Sequence, residues 1–98
     1  MDIQLTSVLR QAENIVTRTV MGETLLVPIS GDLASMDELY TLNDAGSYIW
    51  QALNGENSLA EIHEQMKEEY EAPSEIIESD LLEIVRDFAD AGLIVAET

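Results

Sequence analysis

Residues 43–92 are punctuated as three short helices, and this punctuation restricts the fold more than any other feature of the chain. Asn43 has the side chain of an N-cap, Asp44 puts a carboxylate at a helix N-terminus, and Gly55 is a natural stop. Ser58-Leu59-Ala60-Glu61 is a complete capping box, in which serine and glutamate each satisfy the other's backbone N–H. That second helix ends before Pro73. A third runs from Ser74 to about Ala91, where Gly92 fits the left-handed position that folds Leu93 back onto Phe88. The first helix has the stripe Ala45, Ile49, Ala52 and Leu53, and the second has Leu59, Ile62, Met66 and Tyr70. The third carries two adjacent rows: Ile77, Leu81, Ile84 and Phe88, then Leu82, Val85 and Ala89.

Strand signals precede the helices. Two runs rich in β-branched residues, Ile15–Val20 and Thr24–Ile29, flank Met21-Gly22-Glu23, a hairpin signal because glycine accepts positive φ without penalty. Pro28 cannot donate to a ladder, so the second run is at an edge there or ends there. Ser30–Ser35 reads as loop. Met36–Leu42 alternates as a third short strand, and Leu93–Val95 as a last extended piece. The expected class is α+β, a winged helix-turn-helix with a three-stranded antiparallel sheet followed by three helices. Residues 1–14 read as a loosely attached N-terminal arm and 15–98 as the domain.

A winged helix ordinarily suggests DNA, but the charge opposes it. The net charge over 98 residues is −16. Residues 1–31 hold three acids against Arg10 and Arg18, and residues 32–98 hold seventeen against Lys67 and Arg86, a net of −15. Nucleic-acid binding needs clustered cations to displace counterions from phosphates, and an acidic membrane surface would repel this chain for the same reason. The absence of cysteine removes disulfides, thiolate metal sites and cysteine nucleophiles. No apolar run approaches the ~18 residues needed to span a bilayer. The N-terminus lacks a signal peptide's basic flank and apolar stretch, so the expected location is the cytoplasm.

Few residues suggest chemistry. His63-Glu64-Gln65-Met66-Lys67 begins like the zinc-protease helix, but Lys67 stands where a second neutral histidine is required. His63 therefore reads as a solvated surface histidine. The run Glu68, Glu69, Glu71, Glu75, Glu78 and Asp80 lacks the alternating ligands and central glycine of a calcium loop, and reads as a solvated face. No nucleophile–base set assembles. Gly55-Glu56-Asn57-Ser58-Leu59 approaches the serine setting of phosphopantetheine carriers, so an acyl-carrier-like protein modified at Ser58 is one alternative. Asn57 replaces the aspartate of that setting, and the capping box already accounts for Ser58. A winged-helix protein-interaction or regulatory module is the other alternative. Of the five aromatics, Tyr40 is the one that the buried stripes do not account for.

Several segments together resemble one family. Gly22-Glu23-Thr24-Leu25-Leu26-Val27-Pro28, Leu42-Asn43-Asp44-Ala45-Gly46 with Ile49-Trp50, Gly55 with Ile62 and Tyr70, and Asp80-Leu81 with Ala91-Gly92-Leu93-Ile94 are similar to the PqqD family, named for pyrroloquinoline quinone biosynthesis protein D. The resemblance covers about residues 15 to 95. It implies a non-catalytic adaptor that captures the leader segment of a ribosomally made precursor peptide. The adaptor would present that leader to a modifying enzyme, often a radical S-adenosylmethionine enzyme, or to a leader peptidase. The missing nucleophiles, metal ligands and phosphate-cradling loops lead to the expectation of no cofactor, no metal and no catalytic residue, and a homodimer stays open. In the family the leader adds a strand beside the third strand and rests on the third helix, here Asp37–Leu42 and Ser79–Ala89.

The residues themselves are compatible with that role. A short third strand has backbone groups in need of a partner, which an extended peptide can supply. The second apolar row of the third helix exceeds what one core face requires. The expected peptide-binding residues are Asp37, Glu38, Leu39, Tyr40 and Thr41 on the strand and Leu82, Val85, Arg86 and Ala89 on the helix. Arg86 is the expected partner of an acidic leader residue.

Overall fold

The structure, a computed structural model, describes residues 3–13, 15–28 and 40–96. Nine elements follow one another: β1 (Val8–Gln11), β2 (Ile15–Val20), β3 (Glu23–Pro28), β4 (Tyr40–Leu42), α1 (Asp44–Ala52), β5 (Asn54–Ser58), α2 (Leu59–Glu69), α3 (Ser74–Asp90) and β6 (Ile94–Ala96). The fold is α+β with three helices and the expected antiparallel sheet, ordered β2-β3-β4. Ile15 pairs with Pro28 and Val20 with Glu23, while Leu26 pairs with Tyr40 and Thr24 with Leu42. The hairpin turn is tighter than the sequence suggested. Met21 (φ 52°) and Gly22 (φ 83°) alone connect β2 to β3, both left-handed as a two-residue turn of matching twist requires. The loop expected at 30–35 and the first part of the expected third strand, 36–39, lie outside the described residues.

The expectation of strands first and helices afterwards holds in part. A second sheet, ordered β5-β1-β6, interleaves with the helices. Its middle strand comes from the segment expected to be a loose arm. Val8 pairs with Ser58 and Arg10 with Asn54 on one side, and Leu9 pairs with Ala96 and Gln11 with Ile94 on the other. Leu9 is 1% exposed and belongs to the core, so these residues are held by burial as well as by hydrogen bonds on both edges.

The N-terminal segment also completes α2. A helix leaves its first amides without internal partners. Here Leu59 N–H donates to the Ser7 carbonyl (3.0 Å), Ala60 N–H to the Leu5 carbonyl (2.8 Å) and Glu61 N–H to Ser58 Oγ (3.2 Å). Glu61 Oε1 accepts from Ser58 N–H at 2.8 Å, closing the capping box. Side chains likewise take up carbonyls at the end of α1: Gln11 Nε2 donates to the Trp50 carbonyl (2.8 Å) and Asn57 Nδ2 to that of Ala52 (3.2 Å). Helix α3 closes as the sequence predicts, with Gly92 at φ 75°, Gly92 N–H on the Ala89 carbonyl (3.0 Å) and Leu93 N–H on that of Phe88 (2.9 Å).

One core joins both sheets and all three helices. Leu9 and Leu26 come from the sheets, Ile49, Trp50 and Leu53 from α1 and its end, Leu59, Ile62 and Met66 from α2, and Ile77, Leu81, Val85 and Phe88 from α3. The α1 stripe is rotated from the expected one: Gly46, Ile49 and Trp50 are buried, while Ala45 and Ala52 are half-buried. His63 is not solvated. It is 9% exposed, with Nε2 3.0 Å from the Ser74 carbonyl and 3.3 Å from Ser74 Oγ, so it ties α2 to the start of α3. No described helix is long and apolar enough to cross a membrane.

Candidate functional site

Strand β4 lies at the edge of its sheet, paired with β3 on one side and with no described strand on the other. Beside it a groove of about 240 Å³ opens between β4 and α3. Tyr40, Thr41 and Leu42 form one wall; Ile84, Asp87, Phe88 and Ala91 form the other; Asn43, Gly46 and Leu93 close it. The lining is mostly apolar, and Asp87 is its one carboxylate. Local chemistry shapes the closed end. Asn43 Oδ1 accepts from Gly46 N–H at 2.7 Å to cap α1. A β-carbon on Gly46 would lie 3.2 Å from that same oxygen and 3.5 Å from Leu42 Cβ, so a glycine here lets strand and helix meet closely.

A second depression, of about 500 Å³, lies on the outer face of α3, lined by Ser79, Leu82, Glu83, Arg86, Asp87 and Asp90. Asp87 lines both hollows, the groove beside β4 and the depression on the outer face of α3.

The expected site residues separate along these lines. Tyr40 and Thr41 are on the β4 wall, whereas Asp37, Glu38 and Leu39 lie outside the described residues. Leu82 and Arg86 line the outer depression, and half-buried Ala89 lines neither hollow. Val85 is displaced inward: it is 0% exposed, inside the core, where a docking peptide has no access to it. The reason is helical phase. At about 100° per residue, Val85 falls about 40° from Leu81 and Ile84 about 60° on its other side, so Val85 continues the buried row and Ile84 turns towards β4. Sequence reasoning thus missed Ile84, Asp87, Phe88 and Ala91 as the groove's helical wall. The signal was present in an apolar surface wider than one core face; Ile77, Leu81 and Phe88 of the first row are buried as expected, but spacing alone put Ile84 in the core and Val85 in the groove.

Elsewhere, Tyr48 and Tyr70 stack edge to face with centroids 5.9 Å apart at 80°. Burial raises both phenol pKa values above the usual range, with Glu69 adding to the effect at Tyr48 and Asp44 at Tyr70. Lys67 Nζ lies 2.9 Å from Glu64 Oε1, and that hydrogen bond lowers the pKa of the exposed carboxyl. No three His, Asp or Glu side chains among the described residues converge to hold a metal ion.

Comparison with known proteins places the chain. A sequence model of the family described as Coenzyme PQQ synthesis protein D (PqqD) matches residues 23–94. No curated protein sequence matches the chain. Among solved structures, TbiB1 in complex with the TbiA(beta) leader peptide is similar with a TM-score of 0.72 at 22% identity, over 87% of this chain and 93% of that one. Lasso peptide synthetase B1 complexed with the leader peptide is similar with a TM-score of 0.77 at 21% identity, over 91% of this chain and 99% of that one. At these identities the likeness is one of fold.

Proposed function

Because the chain belongs to the Coenzyme PQQ synthesis protein D (PqqD) family, we propose that it is a non-catalytic adaptor that captures the leader segment of a ribosomally made precursor peptide. The observation that carries this reading is the β4 edge, open beside an apolar groove. An extended peptide adds to such an edge through main-chain hydrogen bonds and gains specificity from alternate side chains seated in the groove. The site comprises Tyr40 and Thr41 on the strand with Ile84, Asp87, Phe88 and Ala91 on α3, continuing over Leu82 and Arg86. Asp37, Glu38 and Leu39, which precede Tyr40 in the sequence and lie outside the described residues, are proposed as further contacts of the leader. Two proteins of similar fold are each described in complex with a leader peptide, which supports the same use of the fold here.

The captured leader would be presented in the cytoplasm to a modifying enzyme, of the radical S-adenosylmethionine class, or to a leader peptidase. We read the helix trio beside the β2–β3 hairpin as a winged helix-turn-helix whose groove is turned to peptide. The carrier alternative is disfavoured because Ser58 is committed to its capping box on both sides, through its hydroxyl and its amide.

An amide NMR titration with a cognate leader peptide tests the reading. Shifts are expected at 40–43 and 84–91. Ile84→Glu should abolish binding with the melting curve retained, and Ile84→Ala should weaken it. Shifts confined to β5, β6 and α2 would put the site elsewhere.

A further inference from the structure

We infer that the peptide held in this groove carries a lysine or arginine side chain, received by Asp87, which lines both the groove and the outer face of α3. The inference rests on the groove being a leader-peptide site and adds the charge of the residue that it selects. A peptide extended along β4 sends alternate side chains towards α3. A side chain that passes Ile84 meets Asp87, the one carboxylate of the groove. Beyond it the outer depression adds Glu83 one turn before and Asp90 one turn after, so three carboxylates share one helical face with Asp87 at their centre.

Arg86 is the single cation there, against three acids. The described residues give none of the three carboxylates an ion-pair partner within salt-bridge distance, and Arg86 pairs with none of them. Asp87 therefore offers unneutralised negative charge at the margin that the apolar groove shares with the outer depression. The rest of the molecule reinforces the sign, because residues 32–98 carry a net of −15, a field that draws in cations and repels an acidic segment. This reverses the role expected of Arg86. It moderates the acidic face and does not recruit an acidic leader residue.

Selection of random linear peptides displayed on phage against the full chain, with each recovered peptide titrated by amide NMR, decides the matter. Peptides that shift residues 40–42 and 84–91 are expected to combine apolar residues with a lysine or arginine. They should bind Asp87→Asn about two- to fivefold more weakly, the range of an exposed ion pair, and more weakly as salt rises. Asp87 is exposed and its amide replacement is nearly isosteric, so a coincident melting curve verifies the fold. Groove-binding peptides without an excess of cations, or with unchanged affinity for Asp87→Asn, overturn the inference and leave the groove standing. If no recovered peptide moves those amides, the groove reading itself fails and takes the inference with it.

Discussion

Trp50 is the residue at which the separate parts of the molecule meet. It is fully buried on α1, its indole N–H donates to Thr17 Oγ1 on β2 at 2.8 Å, and its ring packs edge to face on Phe88 of α3 at 5.4 Å. Trp50→Ala should cost about 3–5 kcal/mol, the usual range for emptying an aromatic site in a core, read as a lower denaturant midpoint. Thr17→Ala should cost less, about 0.5–1.5 kcal/mol, because Thr17 is partly solvated and water can take up the indole donor. Ser58 behaves differently. Its cap is local, so Ser58→Ala should cost about 1 kcal/mol and leave peptide affinity unchanged. A mass gain on Ser58 after treatment with a phosphopantetheinyl transferase would contradict that assignment. The two raised phenols give a pH dependence of known sign. Tyr48 and Tyr70 stay protonated in the folded chain at pH values where the unfolded chain ionises, near 10, so the folded state holds more protons there. Their contribution is complete below that pH and is lost as pH rises through the raised values. An absorbance titration should show delayed ionisation, and Tyr70→Phe should reduce the alkaline loss of stability.

At the scale of elements, the signals that were legible in the sequence are those carried by a few adjacent residues. Asn43, Ser58 with Glu61, and Gly92 mark helix ends through hydrogen bonds closed within six residues, and each forms as written. The β2–β3 hairpin is equally local. What was illegible depends on partners distant in sequence. Val8–Gln11 has no strand alternation of its own, and Asn54–Ser58 (Asn-Gly-Glu-Asn-Ser) has a composition that disfavours strands, yet Val8–Gln11 is extended between Asn54–Ser58 and Ile94–Ala96, and Asn54–Ser58 is extended against Val8–Gln11. The same limit governed the site: spacing found two apolar rows on α3, but only the position of β4 decides that Ile84 and Phe88 line the groove while Val85 is buried. The middle position of β1 leads to a test. Removing residues 1–11 takes out Leu9, both ladders of the second sheet and two of the amide acceptors of α2. The truncated chain should lose its cooperative thermal transition, whereas an arm without structural role would leave the melting temperature where it was.

For the whole molecule, charge decides among uses that the fold alone leaves open. Three helices beside a β-hairpin offer a surface that other chains present to duplex DNA, and shape cannot separate that use from peptide capture. The field can. A DNA-binding protein gains affinity by exchanging condensed counterions for Lys and Arg, and this chain has four such residues against twenty acids. Two of the four, Arg10 and Arg18, lie on β1 and β2, Lys67 is engaged with Glu64, and Arg86 stands among three carboxylates. No face collects the several cations that even non-specific binding requires. The protein should therefore give no gel shift with duplex DNA at about 0.15 M salt, where the Debye length of ~8 Å still leaves charges on one face acting together. Lowering the salt should not rescue binding, since weaker screening strengthens repulsion between like charges; a true DNA binder would gain affinity under the same change. A retarded band that grows as salt falls would show that the acidic field does not govern partner choice, and with it would go the argument that this groove selects a cationic peptide.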